Sequence, residues 1–562
     1  MKNWFKKESK YFLFLLILLL GTCIPLAKSG YFTMHDDVQI MRLYQMEKCF
    51  YDGQLPCRWV SDMGAGYGHP LYNYHPVFAY YLGVIFRIFG LSFISSVKIL
   101  FLLTLVASGI FVYLLLKEFF GKWPAITGAV IFAYAPYHAV EVYVRGAMTE
   151  SWGVVFFPLI FLSLYKFIRE EKLSFFVMGI LSLSGLFLSH NIMTFVFTPF
   201  ALVWSIFWLV KFGKMKKLKE VFLIFVWSFG LSSFFIIPAF LEENLVKIQT
   251  LTTDYYNFHN HFATIRQLFF DRSFEYGPSR PGPVDDMSFQ LGFPQWPLAL
   301  IAGGLSLIKY FKKKERKFLP VILLFLFWSL VVFLTHGKSV FIWDRLPLVS
   351  FIQFPWRFLA LAMFFGSFLV GSLVSLFKER EYFIAIVVIL LTIILNISYF
   401  RPQKNYLTTD DLILSGESYK TQSMATLMDY LPIQVGQYPK TLAPDSPWVV
   451  SGQAKITEFG KRSDFWRFTI ETIGSEPVRV RVPVFDFPNW IVLVDQQAVP
   501  FSHDNDLGLI QLTVPQGKHT VVGWFENTPL REIANSLSLI SFTGLILLVI
   551  LYPNDKDKKT TR

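Results

Sequence analysis

The sequence has 562 residues, of which 54% are hydrophobic and 16% charged, with 62 Phe, 25 Tyr and 15 Trp. A soluble globular chain is about a quarter charged, so this composition excludes a water-facing surface over most of the length. The formal charge of +12 does not mark a nucleic-acid binder, because the basic residues fall in short clusters between apolar runs, as loop charges do.

Lys2, Lys6, Lys7 and Lys10 precede the apolar run Tyr11–Ala27. This resembles a signal peptide with a cleavage region at Leu26-Ala27-Lys28-Ser29. The run is long for that role and is read as an uncleaved first helix; either way the next segment lies outside. Further spans are predicted near 98–116, 124–138, 151–168, 173–189, 192–210, 220–240, 295–310, 318–335, 355–376, 382–399 and 533–552, each close to the length that crosses a bilayer. Alternate loops carry the lysines: Lys117 and Lys122, Lys211 to Lys219, Lys309 to Lys317, Lys378 with Arg380, and the tail with Lys556, Lys558 and Lys559. Positive loops stay in the cytoplasm. All of them fall on one side if the short segment 76–92, which contains Arg87, lies in the interface rather than spanning.

That parity places both termini in the cytoplasm of a cell with a plasma or inner membrane. It puts the loops 28–97, 139–150, 241–294, 336–354 and 400–532 outside. The expected organisation is a transmembrane domain over 1–399, a β-rich domain over 400–531, and a final helix with a basic tail over 532–562. Val478–Val482, Trp490–Val494 and Leu509–Val514 read as strands of a small antiparallel domain, punctuated by Pro488-Asn489 and Gln516-Gly517. Cys49 and Cys57, in the first outer loop, either pair in a disulfide or stay as two thiols. No Cys/His spacing of the metal-binding kind, Walker motif, dinucleotide fingerprint, Gly-Xaa-Ser-Xaa-Gly or His-Glu-Xaa-Xaa-His element is present.

The residues with chemistry lie on the outer side. Met34-His35-Asp36-Asp37 follows the first helix. One carboxylate suits a general base and the other a divalent cation such as Mg or Mn. The plainer reading is a helix start with acidic residues in its first turn. The run Gly64 to Pro76 brings Tyr72, Asn73 and His75, which suit a sugar or a lipid phosphate, or else an ordered aromatic interfacial loop. In the second outer loop, His138 precedes Glu141 and Arg145, which would pair at i,i+4 in a helix. Glu150 either caps the next span or faces Asp36 and Asp37. His190 joins two spans, as a satisfied polar turn or as part of a cavity wall. Arg357 opens another span, to snorkel or to bind a lipid phosphate.

In this order the residues resemble the GT-C superfamily of membrane glycosyltransferases. The resemblance rests on an acidic pair after the first helix, a Pro-containing interfacial segment at Tyr74-His75-Pro76 to Gly90, and a second acidic position at Glu141 or Glu150. More closely, the chain resembles bacterial YfhO-like and 6-pyruvoyl-tetrahydropterin synthase-related membrane proteins. The carrying motifs are Gly68-His69-Pro70-Leu71-Tyr72-Asn73-Tyr74-His75-Pro76, Phe354-Pro355-Trp356-Arg357-Phe358, Asp429-Tyr430-Leu431-Pro432 and Phe487-Pro488-Asn489-Trp490, with Gly508-Leu509-Ile510 and Gly517-Lys518-His519. The resemblance implies an α-helical polytopic fold of about 12 transmembrane helices with a small extracytoplasmic β domain. It also implies transfer of a sugar, with inversion, from a polyprenyl-phosphate donor to an envelope glycan, lipid or protein acceptor. Asp36, Asp37 and Glu150 would be catalytic, with Asp36 and Asp37 the metal ligands if a cation is used. His35, Tyr72, Asn73, His75, His138, Arg145, His190 and Arg357 would bind substrate. The competing readings are a transporter or flippase of lipid-linked glycan and a non-catalytic envelope scaffold.

Overall fold

The computed structural model describes residues 2–425 and 430–552. Asp429 and the tail lysines Lys556, Lys558 and Lys559 lie outside the described residues. Among the described residues, nine helices are long and apolar enough to cross a membrane: Ser9–Ala27, Phe93–Phe120, Met148–Glu170, Asn191–Lys211, Met215–Leu241, Arg316–Thr335, Pro355–Val374, Lys378–Tyr399 and Pro529–Leu551. The expectation of about 12 counted three more helices. Lys122–Ala133 has 12 residues and Leu173–Ser189 has 17, which at about 1.5 Å per residue fall short of a hydrocarbon core near 30 Å. Gln295–Lys313 has 19 residues, but its last turn is lysine-rich. The segment read as interfacial forms the 11-residue helix Phe78–Ile88, too short to span.

The chain folds as two compact units that do not follow chain order. One comprises Met1–Asp37, Val97–Ser228 and Leu251–Leu407; the other comprises Val38–Ser96, Phe229–Thr250 and Thr408–Arg562.

In the first unit the helix Leu359–Val374 is buried along its whole length. It can be approached closely because the helix and its neighbour Lys122–Ala133 both carry glycine at the crossing. A Cβ on Gly128 would meet the Ser367 carbonyl oxygen at 2.8 Å, and one on Gly371 would meet the Pro124 carbonyl oxygen at 3.1 Å. Without a hydrophobic driving force between helices in lipid, such tight van der Waals contact holds them together. Aromatic rings fill the space beyond: Phe157 stacks on Phe197 at 4.1 Å, and Phe161 stacks on Trp204 at 4.8 Å. A two-residue strand, Tyr31–Phe32, pairs antiparallel with Asn405–Tyr406 and fixes the exit of the first helix.

The second unit holds the β domain. One sheet of four strands runs in the order 448–451, 478–485, 509–514, 501–502. One of five runs 454–461, 465–472, 518–525, 490–494, 497–498. Every pairing is antiparallel. The alternation of Val478, Val480 and Val482 against Arg479 and Arg481 is what one buried face requires, and those three valines are fully buried.

The glycine-rich run is packed, not open. Lys461 donates to the carbonyls of Ser61 and Gly66 at 2.8 and 2.6 Å. Ala443 and Phe485 donate their amides to the carbonyls of Ala65 and Tyr67. Cys49 and Cys57 are joined in a disulfide in this unit.

Candidate functional site

The first unit gathers three of the sequence-predicted residues, Arg145, His190 and Arg357, around one buried carboxylate, Glu150. Glu150, in the first turn of Met148–Glu170, is 1% exposed. Arg145 Nη2 donates to its Oε2 at 2.7 Å, and the Tyr137 hydroxyl donates to its Oε1 at 2.8 Å. Arg357 Nε stands 3.4 Å from Oε2, and His190 Nε2 stands 4.0 Å away. The ring of Trp356 lies 4.7 Å from the Arg145 guanidinium carbon, an arrangement that favours the cation. Arg357 is held by the Ile352 carbonyl at 2.7 Å and Gln353 Oε1 at 2.8 Å.

His190 caps the helix Asn191–Lys211: its Nδ1 accepts the Met193 amide at 3.0 Å. The lone pair used there makes the imidazole neutral, with its Nε2 hydrogen on the Glu150 side. His190 is therefore a satisfied turn, and its other edge faces Glu150.

The expected i,i+4 pair of Glu141 and Arg145 does not form. Residues Val140–Arg145 wind as a π-helix, whose wider turn carries Arg145 past Glu141, and Gly146 then reverses the chain at φ 63°. Arg145 pairs forward with Glu150 instead. Glu141 is fully buried, and neither carboxyl oxygen has a hydrogen-bond partner among the described residues. Burial holds its acid form, pushing the carboxyl well above the usual range, with the Glu150 charge adding to the effect. With Glu141 and His190 neutral, the cluster sets two guanidinium cations against one carboxylate. It has an uncompensated positive charge.

The acidic pair is clipped to this same turn by main-chain bonds. The His35 amide donates to the Val144 carbonyl and the Asp36 amide to the Arg145 carbonyl, both at 2.9 Å. Gly146 leaves room for Met34, whose sulfur would lie 2.2 Å from a Cβ there. The helix-capping reading fails. The helix Gln39–Asp52 has Val38 at its N-cap and no side-chain cap bond. Asp36 and His35 are exposed, and His35 Nε2 donates to the Tyr276 carbonyl at 2.9 Å. Asp37 is half-buried, without a hydrogen-bond or ion-pair partner among the described residues, and burial pushes its carboxyl up to about 6.

His138 is buried in the same unit against the Phe132 ring, with Nε2 unpartnered among the described residues. Tyr72, Asn73 and His75 belong to the other unit, where each is spent on packing. Tyr72 donates to the Arg42 carbonyl at 2.5 Å, and His75 Nε2 bonds the Tyr80 hydroxyl at 3.2 Å. Asn73 bridges Arg58 Nη1 at 2.9 Å and Glu242 Oε2 at 3.0 Å. Glu242 also receives Arg531 Nε at 2.8 Å. Arg58, Glu242 and Arg531 escape a reading by motif because nothing in their local sequence announces burial.

Sequence reasoning also missed His261, whose Nδ1 bonds Ser279 Oγ at 2.8 Å while Trp356 Nε1 donates to the same oxygen at 3.2 Å. The one available signal was that His261 sits in the long aromatic loop 241–294.

Among the described residues no three His, Cys, Asp or Glu side chains gather as a cation's donors. Asp36 and Asp37 alone offer fewer ligands than an octahedral Mg shell demands. Water and a substrate phosphate complete such a shell in many sites, so Asp36 and Asp37 are the side chains that would hold a cation arriving with the substrate.

ArnT from Cupriavidus metallidurans, solved bound to undecaprenyl phosphate, is 12% identical with a TM-score of 0.37 over 68% of this chain and 62% of its own. The Archaeoglobus fulgidus oligosaccharyltransferase, solved tethered with an acceptor peptide, is 13% identical with a TM-score of 0.42 over 72% of this chain and 56% of its own. The chain thus spans about three-fifths of the length of these solved proteins. An uncharacterized protein of Lactococcus lactis subsp. cremoris (strain MG1363) is 22% identical over 98% of this chain and 96% of its own length. A family described as 6-pyruvoyl-tetrahydropterin synthase related domain, membrane protein, matches residues 72–403. That match covers more than half of the sequence, and the chain belongs to this family of multi-pass membrane proteins.

Proposed function

We propose that this protein is a membrane glycosyltransferase that moves a sugar from a polyprenyl-phosphate donor to an extracytoplasmic acceptor, with inversion at the anomeric carbon. The observation that carries the reading is the main-chain clip between the acidic pair and the Arg145 turn. It ties the main chain that carries Asp36 and Asp37 to the turn that carries Arg145, whose cluster has excess positive charge. Such a pairing suits a reaction in which a hydroxyl loses a proton while a phosphate leaves as an anion.

Asp37, poised near 6, is ionised at neutral pH and would take the acceptor hydroxyl proton. The hydroxyl oxygen then bonds to the anomeric carbon from the face opposite the phosphate, and the bond from that carbon to the phosphate oxygen breaks. The electron pair leaves on the phosphate, toward Arg145 and Arg357. Glu150 would keep the two guanidiniums fixed and apart, so that their charge is ready before the anion forms.

The sidedness rests on the lysine-rich loops being cytoplasmic. The Cys49–Cys57 disulfide supports an oxidising, outer location for the first polar loop. The test is transfer in sealed vesicles loaded with polyprenyl-phosphate sugar. Asp36→Asn/Asp37→Asn should abolish product with no fall in melting temperature. Full transfer by that variant would refute the reading, and lipid scrambling that ignores the substitutions would assign a flippase instead.

A further inference from the structure

At the outer end of the helix Gln295–Lys313 lies a cleft of about 370 Å³ that the reaction above does not use. That volume is within the range of small-molecule sites, roughly 300–1,000 Å³. Its walls are Phe269, Phe270, Phe293 and Trp296. Trp296 meets the other three edge-on at 5.2, 6.0 and 6.3 Å, so ring faces are left for something else. Phe270 is 66% and Phe293 43% exposed.

Apolar walls alone would suit a lipid tail, but the polar groups in this cleft argue otherwise. Asp271 and Arg272 stand among the rings. Asp271 commits Oδ1 to the Ser273 amide at 2.9 Å, and Arg272 commits Nε to the Tyr399 hydroxyl and Nη2 to the Leu395 carbonyl. A carboxylate oxygen and the rest of the guanidinium fork are left over. An acceptor and a fork of donors around open aromatic faces match a ring with an apolar CH face and a rim of hydroxyls. They match neither an alkyl chain, which would strand them, nor a bare anion, which Asp271 would repel.

The cleft is joined to the catalytic unit. A Cβ on Gly292 would lie 2.7 Å from Pro136 Cδ, and Gln295 Nε2 donates to the Tyr134 carbonyl at 3.2 Å. Tyr137, next along, bonds Glu150. From these observations we propose that this cleft is a carbohydrate-binding subsite that seats the acceptor glycan. The acceptor role rests on the transferase reading; the binding does not.

The experiment uses the full chain in lipid nanodiscs on a printed array of hexose, hexosamine and sugar-phosphate oligomers. The wild type should retain at least one class. Trp296→Ala should weaken retention at least tenfold, and Phe270→Ala, at a largely exposed position, several-fold. Gly304→Ala, where a Cβ would meet nothing within 4 Å, should bind as the wild type does. Glycan binding without transfer by the wild type would strike down the function alone. No glycan retained by the wild type, equal retention by Trp296→Ala, or binding of an alkyl phosphate in place of any glycan would overturn the subsite.

Discussion

Arg145 reaches forward to Glu150, at 2.7 Å, and not back to Glu141 one turn behind it. The consequence is two buried carboxyls in opposite states a few residues apart, one charged and ion-paired, the other neutral. Substituting each by its amide should therefore have unequal effects. Glu150→Gln leaves two buried guanidiniums without their anion and should destabilise by about 3–5 kcal/mol. Glu141→Gln replaces a neutral acid by a neutral amide of the same shape and should change the melting temperature little. Thermal unfolding of the two variants in one detergent checks the contrast. Equal losses would show that Glu141 is charged.

The pH dependence follows from Asp37. As the base it works ionised, so kcat/KM should rise as pH increases through about 6 and level off above it. Stability should move the other way. The folded carboxyl sits above its ordinary value of 3.8, so its contribution is fully present below that value and is lost as pH rises through about 6. Asp37→Asn should flatten both profiles in that window. A rate profile with no inflection near 6 would remove Asp37 from the role.

In the second unit, Arg531 and Glu242 are both nearly inaccessible and meet at 2.8 Å. Removing either partner alone, as Arg531→Met or Glu242→Gln, should destabilise by about 3–5 kcal/mol by stranding the other. The double variant should lose less than the sum of the two. A double-mutant cycle on chemical unfolding measures the coupling; strict additivity would mean that the pair contributes nothing.

Gly128→Ala tests the helix crossing. Its new Cβ would lie 2.8 Å from the Ser367 carbonyl oxygen and 2.2 Å from Leu116 Cδ2. The side chain can swing away but the backbone cannot, and overpacking of this kind costs about 1–3 kcal/mol. A lowered melting temperature is expected, whereas Gly304→Ala, which faces open space, should be silent.

Local pattern carried much of this architecture. The strands Trp490–Val494 and Leu509–Val514 run over the residues read as strands, and the alternating Val478–Val482 continues to Phe485. Period-two burial is a property of consecutive residues, so it can be read in line. Span length can be read the same way, although Lys122–Ala133 shows that an apolar run need not be helical throughout. Long-range partnership leaves no local trace. Nothing near Asn73 says that its amide serves Glu242, 169 residues on, and nothing near Glu150 says that Arg357 stands beside it. The π-turn at Val140–Arg145 defeated the helical spacing rule, which assumes 3.6 residues per turn.

The bonds from His35 and Asp36 to Val144 and Arg145 run from main chain to main chain. No exchange of side chains at those four positions removes a peptide amide or carbonyl, proline apart. The alignment of the two loops is thus insulated from point substitution and vulnerable to changes in loop length. One residue inserted between Gly30 and Met34 would slide the carboxylates along the turn by about 3.3 Å, a full strand step, with every side chain still in place.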